Sequence, residues 1–384
     1  MSSLMLGVSL LLIARGTTVD GFGHFMTAYT VGIIVGLAVG FGAPTRILQI
    51  GVRDSELAGG LFAVHTFLVT VVSVIACVTV AISGAGTVVL VGVVFAIGDT
   101  VQNYAQAHLT ARDRQWAANL LVLSHRLPPV VAVAASIAIS GRVDYDILIV
   151  AYTVPVALGV FAPIADASRA AWRRRHDAFR GSSGYWVYSL AAVIPQLQIP
   201  LLALVTVPEV VGEFSLATRV IGPITLLTAS LSAVLVPELA RRADDPADFA
   251  ALYRFSMRIS AAYLGVVVVA AWPAAMLVVG AAGAQYADAV GLVFATVVAA
   301  GIAAFGQAAN SVLLAVGKAS LSASAIIAGA VVGLSVLLVC GTMLNGGWLW
   351  VAPVLTQVTT MVMLVRFARP VVRAPREPST EVMS

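Results

Sequence analysis

The chain has 384 residues, of which 60% are hydrophobic and 10% charged, and its mean hydropathy is +0.98. A soluble domain carries about 25% charged residues to cover its surface, so the composition excludes a water-exposed fold and leaves an all-α, polytopic membrane protein. The net charge of +4 points to the anionic lipids of the cytoplasmic leaflet as partner, and not to nucleic acid.

A span needs roughly 20 apolar residues to cross the bilayer. Runs of that kind predict helices over 3–14, 22–42, 59–82, 87–108, 117–140 and 147–165 in the first part of the chain. Six more follow over 184–206, 211–236, 256–281, 288–315, 320–342 and 347–367. The first segment is short for a span, which predicts a truncated start. Connections carry turn residues, such as Ser83-Gly84-Ala85-Gly86 and Asn345-Gly346-Gly347. Cys77 and Cys340 lie inside apolar runs and read as free buried thiols.

Of the 22 basic residues, 18 fall in the connections after the even-numbered segments, in the C-terminal tail, or within three residues of the adjoining segment ends. The positive-inside rule then puts both termini in the cytoplasm of a bacterial cell membrane. The densest basic stretch, Arg169–Arg180, falls near mid-chain. It divides the sequence into an N-terminal lobe at 1–168, a basic inter-lobe loop at 169–183, a C-terminal lobe at 184–368 and a disordered tail at 369–384. A weak repeat supports two halves: Gly23-His24-Phe25-Met26-Thr27-Ala28 in the second segment returns as Gly212-Glu213-Phe214-Ser215-Leu216-Ala217 in the eighth. Parallel six-helix repeats place a substrate site in a central cavity at their interface.

No GxxxxGK[ST] phosphate loop is present, and the five histidines lack metal-site spacing. No enzyme activity, metal or cofactor is expected. Polar groups at bilayer depth are costly and therefore the default functional candidates. In the fourth segment Asp99, Gln102, Asn103 and Gln106 follow helical spacing on one face. They form either hydrogen-bonding glue between helices or the wall of a hydrophilic cavity, with Asp99 as proton or cation carrier. Arg126, beside His125 and Pro128-Pro129, sits at a depth comparable with Asp99. It forms a buried pair, snorkels to the cytoplasm, or grips an anionic headgroup through its planar fork. Arg219 is a second cavity cation or a partner of Glu213. Gln196 and Gln307 mark further cavity positions, while Arg46 and Arg53 stand at a cytoplasmic entrance or simply set topology.

Three stretches, Leu12-Ile13-Ala14-Arg15-Gly16, Asp20-Gly21-Phe22-Gly23-His24-Phe25 and Gly40-Phe41-Gly42-Ala43-Pro44-Thr45, resemble the start of polysaccharide flippases. These belong to the multidrug/oligosaccharidyl-lipid/polysaccharide exporter superfamily. Val211–Ala217 through Pro237-Glu238-Leu239-Ala240-Arg241, and Leu314-Ala315-Val316-Gly317-Lys318, are similar to later parts of the same family. The resemblance implies alternating-access flipping of undecaprenyl-diphosphate-linked oligosaccharide to the outer leaflet. It also implies a lipid-linked glycan as substrate, with glycosyltransferases and a polysaccharide polymerase as partners. Arg126 and Arg219 become the expected diphosphate contacts. Two rivals are a cation-coupled multidrug or metabolite antiporter, with Asp99 as coupling group, and a non-transporting membrane scaffold of polysaccharide assembly.

Overall fold

A computed structural model describes residues 2–50, 54–166, 193–219, 245–316, 318–344 and 348–373, with single positions in the stretches between. The basic loop 169–183, apart from Phe179, lies outside the described residues, as do Arg53 and the tail beyond 373. Among the described residues every regular element is helical. Packing divides the chain into two compact units, Met1–Ser215 and Leu216–Ser384.

The first unit holds α1 (Ser2–Gly16), α2 (Val19–Val39), α3 (Ala43–Ile50), α4 (Ser55–Ser83), α5 (Thr87–Ala111), α6 (Gln115–Ser140), α7 (Tyr145–Asp166) and α8 (Gln198–Val205). The helix α9 (Pro208–Arg219) begins in it. The second unit holds α10 (Pro246–Ala282), α11 (Val290–Ala315), α12 (Ala319–Met343) and α13 (Val351–Arg373). Eight of these helices are long and apolar enough to cross a membrane, and Met5–Gly16, Tyr145–Val154 and Ile194–Val205 are shorter apolar helices. The molecule is a multi-pass membrane protein.

Helix ends follow local chemistry. Thr18, Asp54 and Asp245 cap α2, α4 and α10 by accepting first-turn backbone N–H bonds, which satisfies donors a helix leaves open. Gly84 and Gly141, at φ of 68° and 71°, end α4 and α6 in the left-handed region. Pro195 removes a backbone donor, and Ile194–Leu197 forms a 3₁₀ turn before α8.

Two sequence expectations need correction. The connection after α2, read as a basic surface stretch, instead contains α3, whose Ala43 and Ile47 enter a core with Phe62 and Tyr104. The segment predicted over 256–281 starts ten residues earlier, so that Arg254 as well as Arg258 lies within α10, which is 37 residues long and extends about 55 Å at helical rise.

Close helix contact depends on small residues, as lipid-embedded packing requires. A Cβ on Gly32 or Gly36 of α2 would collide with Ala96 or Thr100 of α5. In the second unit, a Cβ on Gly329 or Gly333 of α12 would strike the hydroxyls of Thr360 and Thr356 on α13. The helices α5 and α11 are the most enclosed spans of their units, 67% and 61% buried.

Candidate functional site

The helix α5 brings Asp99 into the centre of the first unit, between α2, α6 and α7. Asp99 is 5% exposed and Arg126 of α6 is 7% exposed. Arg126 Nη1 lies 2.6 Å from Asp99 Oδ1, and His125 Nε2 lies 3.5 Å from the same oxygen. The Tyr29 hydroxyl of α2 donates to Asp99 Oδ2 at 2.6 Å. The guanidinium approaches off the hydrogen-bond direction, so the Arg126 contact is an ion pair by distance without a formal hydrogen bond. Four side chains from three helices thus converge, with one carboxylate at the centre.

The surroundings fix this cluster. Phe95 stacks on Tyr29 with ring centroids 4.8 Å apart and packs at a tilt against Tyr152 of α7 at 4.4 Å. Gly98 makes room for the imidazole: a Cβ there would stand 2.6 Å from His125 Cε1. Pro128 and Pro129 lie inside α6, so the carbonyls of Ser124 and His125 lose the backbone donors that would otherwise reach them.

The other candidates are placed less uniformly. Gln102 is buried beside the cluster, but Asn103 is exposed and Gln106 half-buried. The proposed stripe is therefore split, because α5 is enclosed on unequal sides by its neighbours. Arg46 is 5% exposed, built into α3 and not displayed at the surface. Gln196 is half-buried in the 3₁₀ turn before α8. Arg219 and Gln307 are half-buried and belong to the second unit, so the expected pair of cavity cations is divided between the units. Tyr29 and Tyr152 were not anticipated, since tyrosines in apolar runs read as core.

A separate feature of the first unit is a cavity of about 760 Å³ walled by α2, α4 and α5 and bordered by α8 and the start of α9. Among the described residues no Asp, Glu, Lys or Arg lines it. Asp99, Arg126 and the other sequence candidates are not among its lining residues.

The fold recurs in solved transporters. An inward-facing multidrug resistance MATE family transporter of the MOP superfamily matches with a TM-score of 0.74 at 15% identity, over 99% of this chain and 96% of that one. A MATE structure in complex with MaL6 matches at TM-score 0.60 and 14% identity, over 97% and 93%. A MOP superfamily transporter from Pyrococcus furiosus matches at TM-score 0.55 and 15% identity, over 98% and 96%. Comparisons with family profiles and with curated proteins find no match. The chain has the MATE-like transporter fold of about twelve helices.

Proposed function

We propose that this protein is a transporter of the MOP superfamily that flips undecaprenyl-diphosphate-linked oligosaccharide from the inner to the outer leaflet by alternating access. It serves surface polysaccharide assembly in a bacterial cell membrane, with both termini cytoplasmic and with glycosyltransferases and a polymerase as neighbours. The observation that carries this reading is the elongated cavity of the first unit, whose walls hold no Asp, Glu, Lys or Arg among the described residues. Such a wall suits a lipid chain, whereas an organic cation calls for acidic or aromatic contacts. The test is outer-leaflet appearance of lipid-linked glycan in a strain depleted of the protein and complemented in trans. Accumulation of the glycan on the inner leaflet, relieved by complementation, is expected. Normal flipping in the depleted strain refutes the proposal.

The second reading, a cation-coupled antiporter, draws on Asp99 and its titratable neighbours His125 and Tyr29. It is the weaker reading because Asp99 already holds a permanent cation, Arg126, which opposes the proton or ion exchange a coupling carboxylate performs each cycle. Gradient-driven drug efflux that Asp99→Asn abolishes would establish it.

A further inference from the structure

The cavity of the first unit is a trough and not a compact pocket. On α2 its lining runs in an unbroken helical stripe from Gly23 to Val39, about 24 Å at helical rise. On α4 it runs from Val69 to Val80 and on α5 from Val89 to Thr100, about 17 Å each. Three of its four hydroxyls, all but that of Ser73, offer a ligand little. Thr27, Thr79 and Thr100 donate to the carbonyls of Gly23, Ile75 and Ala96 at 2.9, 2.8 and 2.9 Å. The outer face of α4 beside it exposes Val71, Val74, Ile75 and Val78, as a lipid-facing helix does.

The Val39 end has a different character. His65 stands one turn from the lining residue Val69 and on the same face of α4. It is 1% exposed, and its Nδ1 has no hydrogen-bond partner among the described residues. The guanidinium of Arg46, 5% exposed, is close enough to act on it electrostatically. Phe41, just past the end of α2, packs against His65 with ring centroids 6.0 Å apart. The apolar trough therefore leads toward one buried guanidinium, Arg46, beside an imidazole whose Nδ1 has no hydrogen-bond partner among the described residues. This is the charge pattern of an amphiphile with an anionic head.

Length selects among such amphiphiles. Half of a ~30 Å hydrocarbon core is about 15 Å, the depth one leaflet's chains fill. A chain whose head stands at Arg46 and His65 and whose tail fills the trough extends beyond that depth. We propose that the first unit carries a track for a polyprenyl phosphate, its chain along α2, α4 and α5 and its phosphate at Arg46 and His65. This rests on the lipid-linked substrate proposed above and locates where that substrate's lipid part rides.

The test uses the purified full chain in nanodiscs and a polyprenyl monophosphate with a photoreactive group in its chain. Crosslinks should map to α4 and α5 around Val72, Ala76 and Val93. Ala76→Trp, which fills the trough, should weaken retention of the probe by about tenfold, while Val266→Trp on the exposed face of α10 leaves it unchanged. Arg46→Gln should weaken polyprenyl phosphate to a similar extent but leave neutral polyprenol unaffected. If Arg46→Gln fails to fold, the same comparison is made on the wild type, where phosphate should bind about tenfold more tightly than polyprenol. Phosphatidylglycerol displacing the probe at equal concentration, or crosslinks spread evenly over the lipid-facing helices, would overturn the track. Binding is measured apart from transport. A wild type that binds the probe but flips no glycan refutes the proposed function and leaves the track standing.

Discussion

The buried carboxylate of Asp99 makes a quantitative prediction. Asp99→Asn keeps the shape of the side chain and removes its charge, leaving Arg126 at 7% exposure without its acidic partner. Removing one member of a buried ion pair costs about 3–5 kcal/mol, because the remaining charge stays desolvated. For a unit of this size that corresponds to a fall in Tm on the order of 10 °C. Arg126→Met should cost less, since Asp99 keeps the Tyr29 hydrogen bond and the His125 contact. The double variant should recover much of the loss, because replacing both charges with neutral groups of similar volume is often close to neutral. Thermal unfolding in detergent, followed by tryptophan fluorescence, gives the full double-mutant cycle. Two single effects below about 1 kcal/mol that simply add would refute the reasoning, since groups that interact do not add.

Two further outcomes concern glycines. Gly98→Ala places a methyl 2.6 Å from His125 Cε1 and should cost about 1–3 kcal/mol in the same melting assay; adding His125→Ala should restore most of it. Gly23→Ala and Gly212→Ala should each destabilise by a similar 1–3 kcal/mol, because the obstacles are the backbone carbonyls of Pro208 and Val19, which cannot rotate away. Wild-type Tm values for both would remove the close crossing they imply.

The fold was largely legible because lipid imposes one rule on every span. Long apolar runs with polar ends mark their own limits, and α4, α5, α6 and α12 lie within a few residues of the expected bounds. The ion pair was legible for a related reason. A short connection makes α5 and α6 antiparallel neighbours, and Asp99 lies as far from Ala111 as Arg126 lies from Gln115, to within one residue. Depth can be counted in this way, but lateral facing cannot. Asn103 shares a helix face with Asp99 by spacing yet is exposed, because the border of that face is set by α2, α4, α6 and α7. The helix α3 escaped notice because Pro44 reads as a stop, although proline fits the first turn of a helix, where its missing donor costs nothing. Tyr29 and Tyr152 gave no signal at all: only the folded chain shows which tyrosine hydroxyl meets a buried carboxylate.

The weak internal repeat gains physical content from α2 and α9. In the sequence it equates Gly23 with Gly212, and the same offset carries Val19 onto Pro208. A Cβ on Gly23 would strike the carbonyl oxygen of Pro208, and a Cβ on Gly212 would strike the carbonyl oxygen of Val19. Under the repeat, each of these contacts is the image of the other. Reciprocal contact between equivalent residues is the signature of a two-fold relation, in which residue i meets j and j meets i. Chance similarity between two six-residue stretches gives no reason for their glycines to meet in this way. The helix α5 holds the buried Asp99, while α11 carries no Asp, Glu, Lys or Arg and places Thr296, Asn310 and Ser311 in its buried interior. The backbone approach follows the repeat at Gly23 and Gly212, and the ion pair of Asp99 and Arg126 has no counterpart within α11.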